Sequence, residues 1–169
     1  MEPIKKLFSN LLDLKEEYEK LRSTVQEKQT AIIDRDLEKI QDFTQREQVL
    51  SAQLRELGAR QRELWLEICN CDDEELENME LDELLENMEE QTRQRYVAKR
   101  TELKFVLRDI QRVNSENMEL LKNRLSDLDN LFNTVFEELG ADEGDGTYDK
   151  KLNDKNKNQK TSVLIDRAI

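Results

Sequence analysis

The sequence lacks histidine altogether, and it has one proline, four glycines and 5% aromatic residues among its 169 positions. Histidine is the side chain most often used for acid–base chemistry near neutral pH, and it is the commonest protein ligand of metal ions. Between Ile4 and Leu139 there is no proline, and the only glycine is Gly58. Loops that could bring reactive groups together are therefore scarce. We predict that the chain is not an enzyme and that it holds no cofactor.

The two cysteines, Cys69 and Cys71, are one residue apart. A disulfide across that spacing would be strained. Metal sites favour wider spacings and additional ligands. We therefore expect two ordinary thiols near the end of a helix, and no metal site.

Long apolar runs are also missing. A helix that spans a bilayer needs about 20 predominantly apolar residues, and no run of the sequence approaches that length. Lys5 and Lys6 are followed by a stretch, residues 7–13, that is too short and too polar for the apolar part of a secretory signal. We expect a cytoplasmic protein without membrane insertion.

Charge is abundant but unevenly distributed. Charged residues make up 39% of the chain, hydrophobic residues 36%, and the formal net charge is −12. Residues 140–169 hold equal numbers of acids and bases, so the whole excess lies in residues 1–139. The segment 72–90 has eleven acids and no base, and seven bases follow within residues 93–112. Because nucleic-acid binding needs clustered Lys and Arg to neutralise phosphates, no nucleic-acid partner is expected.

What the sequence does contain is apolar residues at alternating steps of three and four. One such row opens the chain, with Ile4, Leu7, Leu11, Leu14, Tyr18, Leu21 and Val25. This period is that of an amphipathic helix packed along one seam, and strands do not keep it. The pattern predicts an all-α protein, a long antiparallel helical hairpin or coiled-coil bundle of three long helices and a short one.

The long helices are expected at about residues 3–31, 37–68 and 90–139. At the break between the first two, Asp34 or Asp36 could cap a new helix, although a single bent helix is the alternative.

The second break lies at residues 69–73, where turn and cap residues precede one short amphipathic helix or two. Gly58 lies inside the second long helix, where it marks close packing against another helix or nothing. Glycines from Gly140 onward end the helical part. The chain is therefore expected to comprise a helical domain, residues 1–139, and a flexible tail, residues 140–169.

The seam of the third helix carries a polar residue, Asn117, with Asn114 one turn earlier. A polar residue on a seam lowers stability but can fix register or the choice of partner. We interpret the face that carries both asparagines as an interface, the alternative being simple exposure on the surface.

Four stretches of the sequence, in order, resemble the FlgN family of flagellar export chaperones. The stretches are residues 11–21, residues 33–40, residues 110–121 with Asn114, Asn117 and the pair Leu120-Leu121, and residues 146–149 followed by residues 162–168. The third is the most specific, because it is similar to the paired-Asn, Leu-Leu signature of the family. The likeness covers essentially the full length, although the acidic segment 72–90 and the two cysteines match no feature of the family.

The resemblance implies a small cytosolic chaperone of type III flagellar export, dedicated to the hook–filament junction proteins FlgK and FlgL. Family members bind amphipathic C-terminal helical segments of those substrates and keep them from associating early. They deliver the substrates to the export gate, the cytosolic domain of FlhA, and do not consume ATP themselves.

The third helix is the natural surface for such a segment, because a helix with an apolar stripe can cover the stripe of another helix. The predicted substrate-binding residues on it are Val106, Ile110, Val113, Asn114, Asn117, Leu120, Leu121, Arg124, Leu128 and Leu131. In the tail, Tyr148 is the candidate contact with the export gate, or else packs on the bundle end. Val163, Leu164 and Ile165 form a candidate docking motif, which could equally fold back on its own domain.

Two other functions fit the same residues. The chain could be a structural coiled-coil protein that only self-associates, or a chaperone of a different secretion substrate. The breaks near residues 34 and 70 disfavour a single structural rod. The sequence leaves open whether the free chain is a monomer or a dimer, and whether it prefers FlgK or FlgL.

Overall fold

The computed structural model describes residues 2–86 and 88–138, and all regular secondary structure in these ranges is α-helical. The helices are α1, Glu2–Asp34; α2, Leu37–Cys69; α3, Asp73–Asn78; α4, Leu81–Leu85; and α5, Glu90–Glu138. The predicted all-α class with three long helices is confirmed. Two short helices, not one, lie between the second and third long helices.

A tight turn, and not a bend, separates α1 from α2. Arg35 adopts a left-handed backbone conformation with a φ of 61°. The Asp36 carboxylate then accepts a hydrogen bond of 3.1 Å from the backbone N–H of Lys39. This bond caps the first turn of α2, as predicted for one of the two aspartates of this segment.

The second break is built from the same kinds of residues. Asn70 ends α2 in the left-handed conformation, with a φ of 51°. Asp72 and Glu75 form a capping box, in which each side chain accepts a hydrogen bond from the other residue's backbone N–H. Arg62 of α2 binds the carboxylates of Asp73 and Glu77 and so attaches α3 to the end of α2.

The chain divides into two compact units, residues 1–118 and residues 119–169, and α5 contributes residues to both. In the first unit, α1 and α2 form an antiparallel hairpin. The Asn10 amide donates to the backbone carbonyl of Leu57 at 3.1 Å. Nearer the turn, Lys28 and Glu47 form an ion pair of 2.7 Å.

The part of α5 that belongs to the first unit runs parallel to α1. Lys15 pairs with Glu102 at 2.7 Å, and the Asn117 amide donates to the backbone carbonyl of Val25 at 3.0 Å. Both partners advance along the chain in the same direction. The first unit is therefore a three-helix arrangement, with α2 antiparallel to the other two.

Among the fully buried side chains of the described residues, Tyr96 is the largest. Its ring makes edge-to-face contacts with Phe8 of α1 and Trp65 of α2, at centroid distances of 5.8 Å and 5.5 Å. Gln61 of α2 donates a hydrogen bond of 3.0 Å to the Tyr96 hydroxyl. One residue of α5 therefore joins all three long helices. Gly58 of α2 does not mark close packing against another helix, since a Cβ built there would meet no described atom within 4 Å.

The predicted boundary at residue 139 and the predicted tail, residues 140–169, lie outside the described residues. Tyr148 and the motif Val163-Leu164-Ile165 lie there as well. In the part of the chain that the structure describes, no helix has the length and apolar character of a membrane span.

Candidate helix-binding surface

The predicted substrate-binding residues of α5 fall into two sets with opposite environments. Val106, Ile110, Val113 and Asn117 are buried in the core of the first unit. They face other helices of the same chain and are not available to a partner in this conformation. A charged substitution at Val113 would therefore disrupt the fold before it could report on binding.

Asn117 and Asn114 differ in the same way. The side chain of Asn117 is buried, its N–H group binds Val25 of α1, and its Oδ1 has no hydrogen-bond partner in the structure. Asn114, one turn earlier, is exposed. The interface occupied by Asn117 is thus the internal contact between α5 and α1.

The later predicted residues lie in the second unit, where apolar side chains are exposed. Leu120 and Arg124 are half-buried, whereas Leu121, Leu128 and Leu131 are exposed. Together with exposed neighbours they form a surface that we call the α5 apolar stripe. The stripe comprises Leu121, Leu125, Leu128, Leu131, Phe132 and Val135, with 38% to 63% of each residue exposed.

Two of the most exposed residues of the stripe, Leu125 and Phe132, are absent from the predicted site. The prediction followed the seam through Arg124 and Leu131. A second row of alternating spacing, through Leu121, Leu125, Leu128, Phe132 and Val135, was present in the sequence and could have found both. Both rows belong to one broad helical face.

Burial of these apolar side chains would be the main favourable contribution to the free energy of binding a partner at this surface. Full burial of a Leu or Phe side chain contributes about 1.5–3 kcal/mol, and the exposed fractions here leave roughly half of that gain unused. Monomeric proteins rarely expose contiguous apolar patches without a binding role. An amphipathic helix laid along α5 would cover the stripe by helix-on-helix packing, as the seam residue Val113 is covered in the first unit.

The described part of the chain also contains potential metal ligands and thiols. Residues 2–86 and 88–138 contain no group of three or more His, Cys, Asp or Glu side chains placed to hold a metal ion. Cys69 and Cys71 are half-buried thiols at the end of α2, distant in sequence from the stripe. The arrangement is suited to binding another helix.

The family model described as FlgN protein matches residues 1–156 of the chain. No curated protein and no solved structure gave a significant match.

Proposed function

This chain belongs to the FlgN family of flagellar export chaperones, and from that premise we propose that it binds the hook–filament junction proteins FlgK and FlgL. The bound element is an amphipathic C-terminal helical segment of the substrate. The binding surface is the α5 apolar stripe. Binding covers the apolar face of the segment and so prevents early assembly of the substrate.

The observation that carries this proposal is the exposure of the stripe. Six large apolar residues repeat at helical spacing and are exposed in the second unit, while the apolar seam of the same helix is buried in the first. A substrate helix with a matching apolar row would remove both stripes from water at once. A contact made by six side chains of one helix is modest in area, and a modest interface suits a chaperone that must release its substrate for export.

Delivery is the second part of the proposal. After binding, the chaperone hands the substrate to the export gate, the cytosolic domain of FlhA. Tyr148 is the proposed gate contact, and Val163, Leu164 and Ile165 are proposed to assist docking. These positions lie outside the described residues, so their support is the sequence, and of these positions the family match to residues 1–156 includes Tyr148 alone.

The proposed surface is tested by calorimetry of the full chain with the C-terminal segment of FlgK or FlgL. The variant Leu125→Asp/Leu128→Asp places two charges on the stripe and should lower affinity by at least about a hundredfold, because each buried charge without a partner costs several kcal/mol. A matched control is Leu37→Asp/Val49→Asp, which changes two exposed apolar residues of α2. The control should bind normally.

Three results would count against the proposal. Normal binding by the Leu125→Asp/Leu128→Asp variant, with helical content intact, would misplace the surface. Self-association without substrate binding, over a wide concentration range, would indicate a structural coiled-coil protein instead. Binding only to another exported protein, identified by co-purification from the native cell, would indicate a chaperone of a different secretion substrate.

A further inference from the structure

The first-unit part of α5 carries a second exposed surface, made of two adjoining rows. Arg100, Lys104 and Arg108 repeat at intervals of four residues, and Val97, Thr101 and Phe105 form a parallel row three residues earlier. Residues three and four apart are neighbours on a helix surface. A basic row and a largely apolar row therefore lie side by side. We call this surface, residues 97, 100, 101, 104, 105 and 108, the basic strip.

None of the three bases of the strip has an acidic partner among the described residues, whereas three of the other six bases of α5 do. Outside the strip, Arg93 pairs with Glu90, Lys99 with Glu102, and Arg112 with Asp109 and Glu116. Within the described residues, Arg100, Lys104 and Arg108 form no ion pair. In a chain of net charge −12, unpaired bases in one row depart from what the composition favours.

The carboxylate of Glu102, on α5, is held by bases of both α1 and α5. Glu102 accepts hydrogen bonds from Lys15 and Lys99, and these bonds lower the pKa of Glu102 to about 2. Arg100 shows the opposite situation. Its guanidinium is half-buried, and burial lowers the pKa of Arg100. A carboxylate beside Arg100 would compensate for that loss of hydration.

The apolar row adds a large exposed ring. Phe105 is 62% exposed and Val97 is 39% exposed. Phe105 lies three residues before Arg108 on this face, and aromatic residues and Arg are the types that contribute most to protein–protein interfaces. Three unpaired bases are too few to hold the phosphate backbone of a nucleic acid against the overall negative charge.

We propose that the basic strip is a docking surface for an acidic amphipathic helix of a partner protein. The partner helix would place carboxylates four residues apart against Arg100, Lys104 and Arg108. Its apolar residues would cover Phe105 and Val97. The partner is recognised by local contacts, because screening confines the field of the chain's other charges to about 8–10 Å. The strip shares no residue with the α5 apolar stripe, so this site is distinct from the proposed substrate site.

The test uses the full chain and two synthetic helical peptides of about 20 residues, long enough to hold a helix. Both peptides carry the same row of leucines. One has glutamates at every fourth position beside that row, and the other has lysines there. Fluorescence anisotropy should show binding of the glutamate peptide alone, with an affinity that falls as salt rises.

Variants then locate the site. Lys104→Glu/Arg108→Glu should lower the affinity for the glutamate peptide at least about tenfold, and Phe105→Ala should lower it by a similar factor. Lys5→Glu/Lys6→Glu changes the net charge by the same amount at two exposed, unpaired lysines of α1 and should leave affinity nearly unchanged. The stripe variant Leu125→Asp/Leu128→Asp should bind the peptide normally.

Four outcomes would overturn the proposal. Equal binding of the lysine peptide would show that acids are not recognised. An equal loss of affinity for the glutamate peptide in the Lys5→Glu/Lys6→Glu control would show that only the net charge of the chain matters. Loss of binding in the stripe variant would place the peptide on the stripe. Self-association of the chain alone, abolished by Lys104→Glu/Arg108→Glu in sedimentation velocity, would assign the strip to a second copy of this chain.

Discussion

Asn117 occupies an apolar seam position but is held by a single hydrogen bond. Its amide donates to the Val25 carbonyl, and its own carbonyl oxygen is buried with no partner among the described residues. Asn10 and Gln61 repeat the arrangement, each donating one hydrogen bond to another helix and leaving its oxygen without a partner. Each pair of long helices in the first unit is thus joined by one buried amide. Such groups specify register at some cost in stability.

Replacing Asn117 by Ala removes the hydrogen bond to α1 and leaves a small cavity. We expect the free energy of unfolding to fall by about 1–3 kcal/mol. The exposed Asn114→Ala control should change it by no more than about 0.5 kcal/mol. Urea denaturation followed by the fluorescence of the single tryptophan, Trp65, measures both, because Trp65 is buried against Tyr96. Equal effects of the two substitutions would contradict the assignment of Asn117 to the internal interface.

At the level of elements, the short connections decide how the long helices are arranged. Asp36 and Asp72 cap the helices that begin after the two breaks. Aspartate is a recognisable cap residue, so both breaks could be located from the sequence. The reversal of direction at the first break depends on the positive φ of Arg35, a conformation for which arginine gives no signal. A tight turn and a bend could not be distinguished for that reason.

Arg35→Gly should stabilise the α1–α2 turn. A residue with a Cβ is strained by about 1–2 kcal/mol in the left-handed region, and glycine is not. Glycine also adds freedom to the unfolded chain, so the expected net gain is about 0.5–1 kcal/mol. Thermal unfolding followed by circular dichroism measures it. Arg35→Ala is the control, since alanine keeps the Cβ and should show no gain; a gain in both variants would trace the effect to the arginine side chain instead.

At the scale of the whole molecule, the buried core and the proposed binding surface are made of different residues. The buried apolar residues of the described chain lie in the first unit, and the α5 apolar stripe lies in the second. The first unit also carries the basic strip. A chaperone that must hold one helix and then release it gains from this division, because its binding surface can be exposed without weakening its core.

Two truncations test this division. A chain ending at Met118 should still unfold cooperatively by Trp65 fluorescence but should no longer bind a FlgK or FlgL segment, because it has lost the stripe. A chain ending at Leu139 should keep nearly all of its helical content and retain binding through the stripe. Substrate binding by the shorter chain would place the substrate site in the first unit, and a large loss of helix in the longer chain would show that the tail belongs to the core.

The sequence by itself determined the helices, because the period of the apolar residues and the cap residues act over a few neighbouring positions. It also indicated the family and directed attention to α5. Only the tertiary structure decided which turns of α5 are covered. Val113 and Leu128 lie on the same periodic seam, yet one is buried and the other exposed. Periodicity marks the face of a helix that is able to pack, whereas burial requires a second helix to lie against that face.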